Sequence, residues 1–147
     1  MKHKIIILLA VFALYMSGCG KSGDTSSEPW TKEQLMEPSK LAEMINDPAK
    51  KAPIILDIGF FGGIKNSIRI GPARESKNID KLKQYLSTQP KDADIVIYCG
   101  CCPFKDCPNI RPAFRVLKEE GFTNAKLLNL PHNLRTDWTS KGYPMER

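Results

Sequence analysis

The sequence predicts an α/β domain with a mostly parallel central sheet and helices on both of its faces. Three short apolar runs, residues 54–58, 94–98 and 126–130, have the length and composition of buried parallel strands. Residues 78–87 and 109–120 place apolar side chains at helical spacing between those runs. Strands that alternate with helices build such a sheet. The part of the chain that carries this pattern is long enough for one domain with its own core.

The first elements are predicted from capping signals. Thr31 and Gln34 have the spacing of a capping box, which predicts a short helical turn. Pro38 and Ser39 favour the start of a helix that ends at Asp47-Pro48. These signals place one helix directly before the strand at 54–58.

The middle of the chain is divided by glycines. Gly59, Gly62 and Gly63 interrupt the pattern after the first strand and predict a loop. Residues 67–70 are a brief second strand, which Gly71-Pro72 closes. The helix at 78–87 and the strand at 94–98 follow.

The last elements begin after the strand at 94–98. Gly121 stands where the end of the helix at 109–120 favours a residue with positive φ. A short helix containing Leu134 and Trp138 follows the strand at 126–130, and Trp138 is expected to be a core residue.

The N-terminal residues have the layout of a secretory signal peptide. Lys2 and Lys4 precede an unbroken apolar run at 5–16. This run is shorter than the roughly 20 residues of a membrane span. The sequence Met16-Ser17-Gly18-Cys19 resembles the bacterial lipobox, and this resemblance implies cleavage after residue 18 and lipid on the sulfur of Cys19.

The predicted organisation has three parts. Residues 1–18 are the signal peptide, 19–37 a polar tether with the short helical turn, and 38–147 the folded domain. Several acyl chains hold a protein stably on a bilayer, so an extracytoplasmic, lipid-anchored protein is expected, without a choice between inner and outer membrane. The net charge of +6 comes from scattered lysines, which favours a solvated surface over a nucleic-acid partner.

Four of the five cysteines lie in one short stretch after the strand at 94–98. They are Cys99, Cys101, Cys102 and Cys107. Sites in parallel sheets form at the carboxyl ends of the strands, where this stretch begins. Outside the cytoplasm their thiols can form disulfides that persist.

The order and spacing of several segments resemble single-domain rhodanese-like proteins. Those segments are Ile55 to Ile58, Ile64 to Ala73, Ile95 to Cys99, Leu117 to Phe122 and Asp137 to Pro144. The resemblance covers about residues 38–146 and implies a rhodanese-like fold. Two departures stand out: Gly59 replaces an Arg of the family pattern, and the cysteine loop is several residues longer.

The resemblance implies sulfur transfer. A thiolate attacks a sulfane sulfur donor such as thiosulfate, holds the sulfur as a persulfide and passes it on. Cys99 is the predicted nucleophile, with Cys102 and Cys107 as alternatives. Lys105 and Arg111 are the predicted anion-binding residues, and the nearby helix N-terminus is expected to lower the thiol pKa. No cofactor or metal is part of this interpretation.

Three other interpretations of the cysteines stay open. The CxxC spacing from Cys99 to Cys102 is compatible with thiol–disulfide exchange. Four thiolates are also ligands for a soft ion such as Zn²⁺ or Cu⁺, with His132 as a further candidate. A structural disulfide, joining Cys99 or Cys102 to Cys107, would close the loop without catalysis.

Overall fold

The computed structural model describes residues 28–147, which form one central sheet and the helices that cover it. The predicted signal peptide and Cys19 lie outside the described residues. The strands are β1 (Leu35–Met36), β2 (Ile54–Asp57), β3 (Ser67–Arg69), β4 (Ile95–Tyr98) and β5 (Ala125–Leu128). The helices are α1 (Pro38–Asn46), α2 (Ser76–Leu86), α3 (Ile110–Glu119) and α4 (Leu134–Asp137).

The five strands lie in the order β1-β5-β4-β2-β3, and every neighbouring pair is parallel. Strand β4 is central, between β5 and β2. Its four residues are all buried, as a near-continuous apolar run in a parallel sheet should be. The predicted α/β class with a mostly parallel sheet is confirmed.

Helices cover both faces of the sheet. Ile95 and Ile97 of β4 pack into a core shared with α2 and α3. Val96 and Tyr98 point to the opposite face and pack into a core shared with α1 and α4. This alternation follows from the two-residue period of a strand. Burial of each aliphatic side chain of β4 contributes about 1.5–3 kcal/mol to the free energy of unfolding, relative to an exposed side chain.

The capping and turn signals predicted several element boundaries correctly. Helix α1 begins at Pro38, and Thr31 N donates to Gln34 Oε1 in the short 3-10 turn Lys32–Gln34. Gly121 adopts a φ of 79° after α3. Trp138 is fully buried and donates from Nε1 to Pro144 O at 3.0 Å, which confirms its place in the core.

The packed part of the chain extends further towards the N-terminus than Pro38. Strand β1 pairs with β5, although no pattern in its two residues predicts a strand. Trp30 is only 6% exposed and packs edge-on against Phe104 and Phe114, with ring centroids 6.0 and 5.8 Å away. Residues from Trp30 onward therefore contribute to the fold.

Among residues 28–147, no helix has both the length and the apolar character that a membrane crossing requires.

Candidate functional site

The cysteine loop begins where the connections of the sheet diverge. From β2 the chain continues to β3 on one side, and from β4 it continues through α3 to β5 on the other. Such a switch point leaves a crevice at the carboxyl ends of the two strands. Asp57 and Tyr98 end these strands as register partners, and Cys99 is the next residue after Tyr98.

Three thiols converge at this crevice. The Sγ atoms of Cys99, Cys101 and Cys107 all lie within 4.8 Å of one another, and Cys99 Sγ is 3.3 Å from Cys101 Sγ. Cys99 and Cys107 are buried, whereas Cys101 is exposed. The cluster therefore has a closed interior and one side that meets solvent. All four loop cysteines are free thiols in this structure.

Backbone hydrogen bonds fix the path of the cysteine loop. Leu134 N donates to Gly100 O at 3.1 Å, and Phe104 N donates to Leu130 O at 3.1 Å. Both bonds attach the loop to the segment that follows β5. A 3-10 turn at Phe104–Asp106 then reverses the chain, and Cys107 N donates to Phe104 O. This reversal returns Cys107 to the end of β4.

Two glycines make room for close contacts of the cysteine loop, because a side chain at either position would overlap a neighbouring atom. A Cβ atom at Gly59 would lie 2.8 Å from Cys99 Sγ, closer than real contacts allow. A Cβ atom at Gly100 would lie 2.7 Å from Leu134 Cβ. The absence of a side chain at Gly59 thus has a physical reason: the sulfur of Cys99 fills the space beside it.

Asn109 is a site residue that the sequence analysis missed. It is 1% exposed, and its Nδ2 donates to Cys99 Sγ at 3.5 Å. Its Oδ1 accepts from Arg74 N at 3.0 Å. The side-chain amide therefore ties the first residue of the cysteine loop to the segment before α2. The one available signal was a polar residue at the start of a helix, which is also typical of a simple N-cap.

Asp57 has a structural role beside the thiols. Its Oδ1 accepts from Gly59 N at 2.9 Å, and its Oδ2 lies 3.3 Å from Arg69 Nη1. Burial raises the pKa of this carboxyl, while the Gly59 and Arg69 contacts oppose that rise. The carboxylate thus fixes the turn that follows β2.

The expectation of a lowered thiol pKa is wrong for Cys99, Cys101 and Cys102. The Cys107 thiol and burial together raise the pKa of Cys99 far above its usual range. Burial and the Cys99 thiol raise the pKa of Cys101, and burial with the Cys101 thiol raises the pKa of Cys102 to about 11. Removal of the thiols from water and their mutual proximity outweigh the hydrogen bonds that stabilise a thiolate.

Cys102, Lys105 and Arg111 are the other residues predicted for the site. Cys102 is partly buried, with its Sγ 3.4 Å from Cys101 Sγ, and it is outside the group of three converging thiols. Lys105 is exposed on the 3-10 turn. Arg111 stacks over the ring of Trp30 at 5.4 Å and lies 3.9 Å from a carboxylate oxygen of Glu28.

His132 is held by a carboxylate. Its Nδ1 lies 2.8 Å from Asp137 Oδ1, and its side chain is 67% exposed. It does not belong to the group of converging thiols. This placement agrees with the structural or solvated role that a single His more often has.

Two aromatic residues project from the loop after β2. Phe60 is 38% exposed and Phe61 is 70% exposed. The Arg74 guanidinium lies 4.8 Å from the centroid of the Phe60 ring. A Cβ atom added at Gly100 would lie 3.2 Å from the carbonyl oxygen of Phe61, so the loop after β2 borders the cysteine loop.

No protein-family model matches the sequence, and no curated protein matches it. Among solved structures, the fold is similar to that of the Alr3790 protein from Anabaena sp.. The two share 20% sequence identity with a TM-score of 0.54, over 76% of this chain and 90% of that chain. At this identity the similarity supports the α/β fold alone.

Proposed function

We propose that this protein is a lipid-anchored, rhodanese-like sulfur carrier that holds sulfane sulfur as a persulfide on Cys99. The observation that carries the proposal is the position of Cys99, directly after the central strand at the switch point of the sheet. Asn109 Nδ2 donates to its sulfur, and the exposed Cys101 lies beside it.

The proposed reaction conserves atoms and charge. The Cys99 thiol loses its proton to solvent, and the thiolate attacks the outer sulfur of thiosulfate. A sulfur–sulfur bond forms to Cys99 while the bond to the leaving sulfite breaks, and sulfite takes the electron pair. A nucleophilic acceptor then attacks the outer sulfur of the persulfide, and the Cys99 thiolate leaves.

The environment of Cys99 has opposite effects on the two halves of this reaction. Burial limits the thiolate fraction at neutral pH, because together with the Cys107 thiol it raises the pKa of Cys99. The same burial restricts the access of water and oxidants to the product. Lys105, exposed on the 3-10 turn, supplies positive charge for an anionic donor, whereas Arg111 shares its charge with Glu28, 3.9 Å away. Sulfur loading is therefore expected to be slow at pH 7 and to accelerate with rising pH.

Membrane anchorage through Cys19 is part of the proposal. It rests on the apolar run at 5–16 and on the resemblance of Met16 to Cys19 to a lipobox. The domain would then meet its sulfur donor on the extracytoplasmic side. Metabolic labelling with a fatty acid tests this point, because Cys19→Ala should abolish the label. A label that persists in this variant would contradict lipidation at Cys19.

Mass spectrometry tests the sulfur carrier. The sample is the full-length chain in detergent with Cys19→Ala, so that the four loop cysteines are its remaining thiols. After mild reduction and exposure to thiosulfate, one added sulfur atom is expected on Cys99. Cys99→Ser should remove the adduct, and the matched control Cys102→Ser should keep it. An unmodified loop, or an adduct that persists in Cys99→Ser, would refute the assignment.

A second candidate function is thiol–disulfide exchange. It is favoured by the 3.3 Å separation of Cys99 Sγ and Cys101 Sγ, which a small movement would reduce to the disulfide bond length of about 2.05 Å. Peptide mapping in a graded series of redox buffers tests it. A reversible Cys99–Cys101 disulfide without any persulfide would favour exchange over sulfur transfer.

A further inference from the structure

We infer that Cys99, Cys101 and Cys107 form a three-thiolate binding site for a soft monovalent metal ion, Cu⁺. This inference is independent of the proposed sulfur transfer, because it depends only on where the three sulfur atoms lie. The three Sγ atoms come together just beyond the carboxyl end of β4.

The distances fit an ion bound by three sulfur atoms. A metal–sulfur bond of about 2.3 Å in a planar, three-coordinate site places the sulfur atoms about 4.0 Å apart. The three thiols lie within 4.8 Å of one another, and Cys99 and Cys101 are 3.3 Å apart. Shifts of less than about 1 Å would therefore create the site.

The donor atoms select the class of ion. Thiolates favour soft ions such as Cu⁺ over Mg²⁺ or Ca²⁺, which prefer oxygen. A structural Zn²⁺ site takes four ligands. Cys102 Sγ lies 3.4 Å from Cys101 Sγ but does not belong to the group in which all sulfur atoms are near one another, and His132 is paired with Asp137. The nearby carboxylate of Asp57 is occupied by Gly59 N and Arg69. A group of three thiols in which every sulfur atom lies near the other two favours Cu⁺.

The fold already holds two of the ligands in place. Cys99 and Cys107 are 1% and 0% exposed and belong to the core beneath α2 and α3. Asn109 donates to Cys99 Sγ, as outer-shell groups do for metal ligands. Cys101 is exposed and offers the entry point for an ion. Binding of the ion therefore has to order few further side chains.

Competition for Cu⁺ tests the site. The full-length chain with Cys19→Ala, reduced and kept free of oxygen, is titrated with Cu⁺ against the chelator bathocuproine disulfonate. One Cu⁺ per chain is expected. Cys99→Ser, Cys101→Ser and Cys107→Ser should each weaken binding by about tenfold or more. Cys102→Ser is the matched control and should retain the affinity. An equal loss in the control, or no binding, would overturn the inference.

A second measurement needs no loop variant and so does not depend on the folding of a mutant. Iodoacetamide is applied to the same protein with and without one equivalent of Cu⁺, and each cysteine is followed by mass spectrometry. Cu⁺ should protect Cys101 while Cys102 keeps reacting. Protection of Cys102 alone, or equal reaction of Cys101 in both samples, contradicts the site. Neither experiment contains thiosulfate, so its outcome is separate from that of the sulfur-loading test.

Discussion

The sulfur of Cys99 sits in a space that its neighbours define on several sides. Gly59 leaves room for the atom, Asn109 donates a hydrogen bond to it, and Cys101 Sγ lies 3.3 Å away. Because the Cys107 thiol and burial disfavour the thiolate and raise the pKa of Cys99, the folded protein binds the Cys99 proton more tightly than the unfolded chain does. The stability and the reactivity of the domain are therefore coupled at this one atom.

Stability is expected to fall in alkaline solution. The ordinary thiol pKa is 9.0, and the folded pKa of Cys99 is raised above it. The neutral thiol contributes its full stabilisation below that ordinary value, and this contribution declines as pH rises above it. Urea unfolding at about pH 7 and at about pH 9.5 should show a lower midpoint at the higher pH. Cys99→Ser should reduce the difference; an unchanged difference would place its origin elsewhere.

Gly59→Ala should destabilise the domain because the new methyl group would overlap the sulfur of Cys99. The Cβ position lies 2.8 Å from Cys99 Sγ. Overpacking of this kind costs about 1–3 kcal/mol. Urea unfolding measures the loss, and a double-mutant cycle identifies its cause. In the background of Cys99→Ala the cost of Gly59→Ala should be much smaller; an equal cost in both backgrounds would argue against this contact.

At the level of elements, the loop between β4 and α3 is fixed by bonds to segments that are distant in sequence. Gly100 and Phe104 bond to the segment after β5, and Asn109 bonds to Arg74. None of these partners could be read from the sequence, because each depends on how the chain crosses between layers. The conformation of this loop therefore depends on tertiary contacts rather than on a local sequence motif.

Asn109→Ala should loosen this loop. The change leaves Arg74 N without its acceptor and Cys99 Sγ without its donor, at a cost of about 1–3 kcal/mol. The control is Asn124→Ala, which removes a hydrogen bond from an exposed amide to Asp92 O. Urea unfolding should show a larger loss for Asn109→Ala. Equal losses would mean that the buried amide has no special role.

The same contrast between local and tertiary structure explains what the sequence could predict of the elements. Strand β4 and helix α3 are strongly patterned, so both were predicted to within one residue at each end. Strand β1 has only two residues, and their pattern does not predict a strand. Its extended conformation is stabilised by pairing with β5. The loop cysteines were visible in the sequence, but the grouping of Cys107 rather than Cys102 with Cys99 depends on the 3-10 turn.

At the level of the whole molecule, Trp30 joins the N-terminal segment to the rest of the domain. It contacts Phe104 of the cysteine loop and Phe114 of α3, and the Arg111 guanidinium lies 5.4 Å from its ring centroid. No periodic pattern in the sequence distinguishes this residue as part of the core. Its burial follows from the path of the chain to β1 at the edge of the sheet.

Trp30→Ala should destabilise the entire domain. Removal of a buried aromatic side chain costs about 3–5 kcal/mol. Phe61→Ala is a suitable control, since Phe61 is 70% exposed and its removal should change stability by less than about 0.5 kcal/mol. Thermal unfolding followed by circular dichroism compares the two. A small effect of Trp30→Ala would mean that the segment before β1 contributes little to the fold.

The parallel sheet has a consequence for how the protein matures. Every strand pair joins segments that are separated along the chain, and β1 pairs with β5 across most of the domain. Such topologies fold more slowly than those with local contacts. Until β2, β4 and β5 have assembled, the loop thiols are open to oxidation, and the predicted export would expose them to an oxidising compartment. Folding and disulfide formation would then compete in time, and the arrangement of these cysteines would depend on which process finishes first.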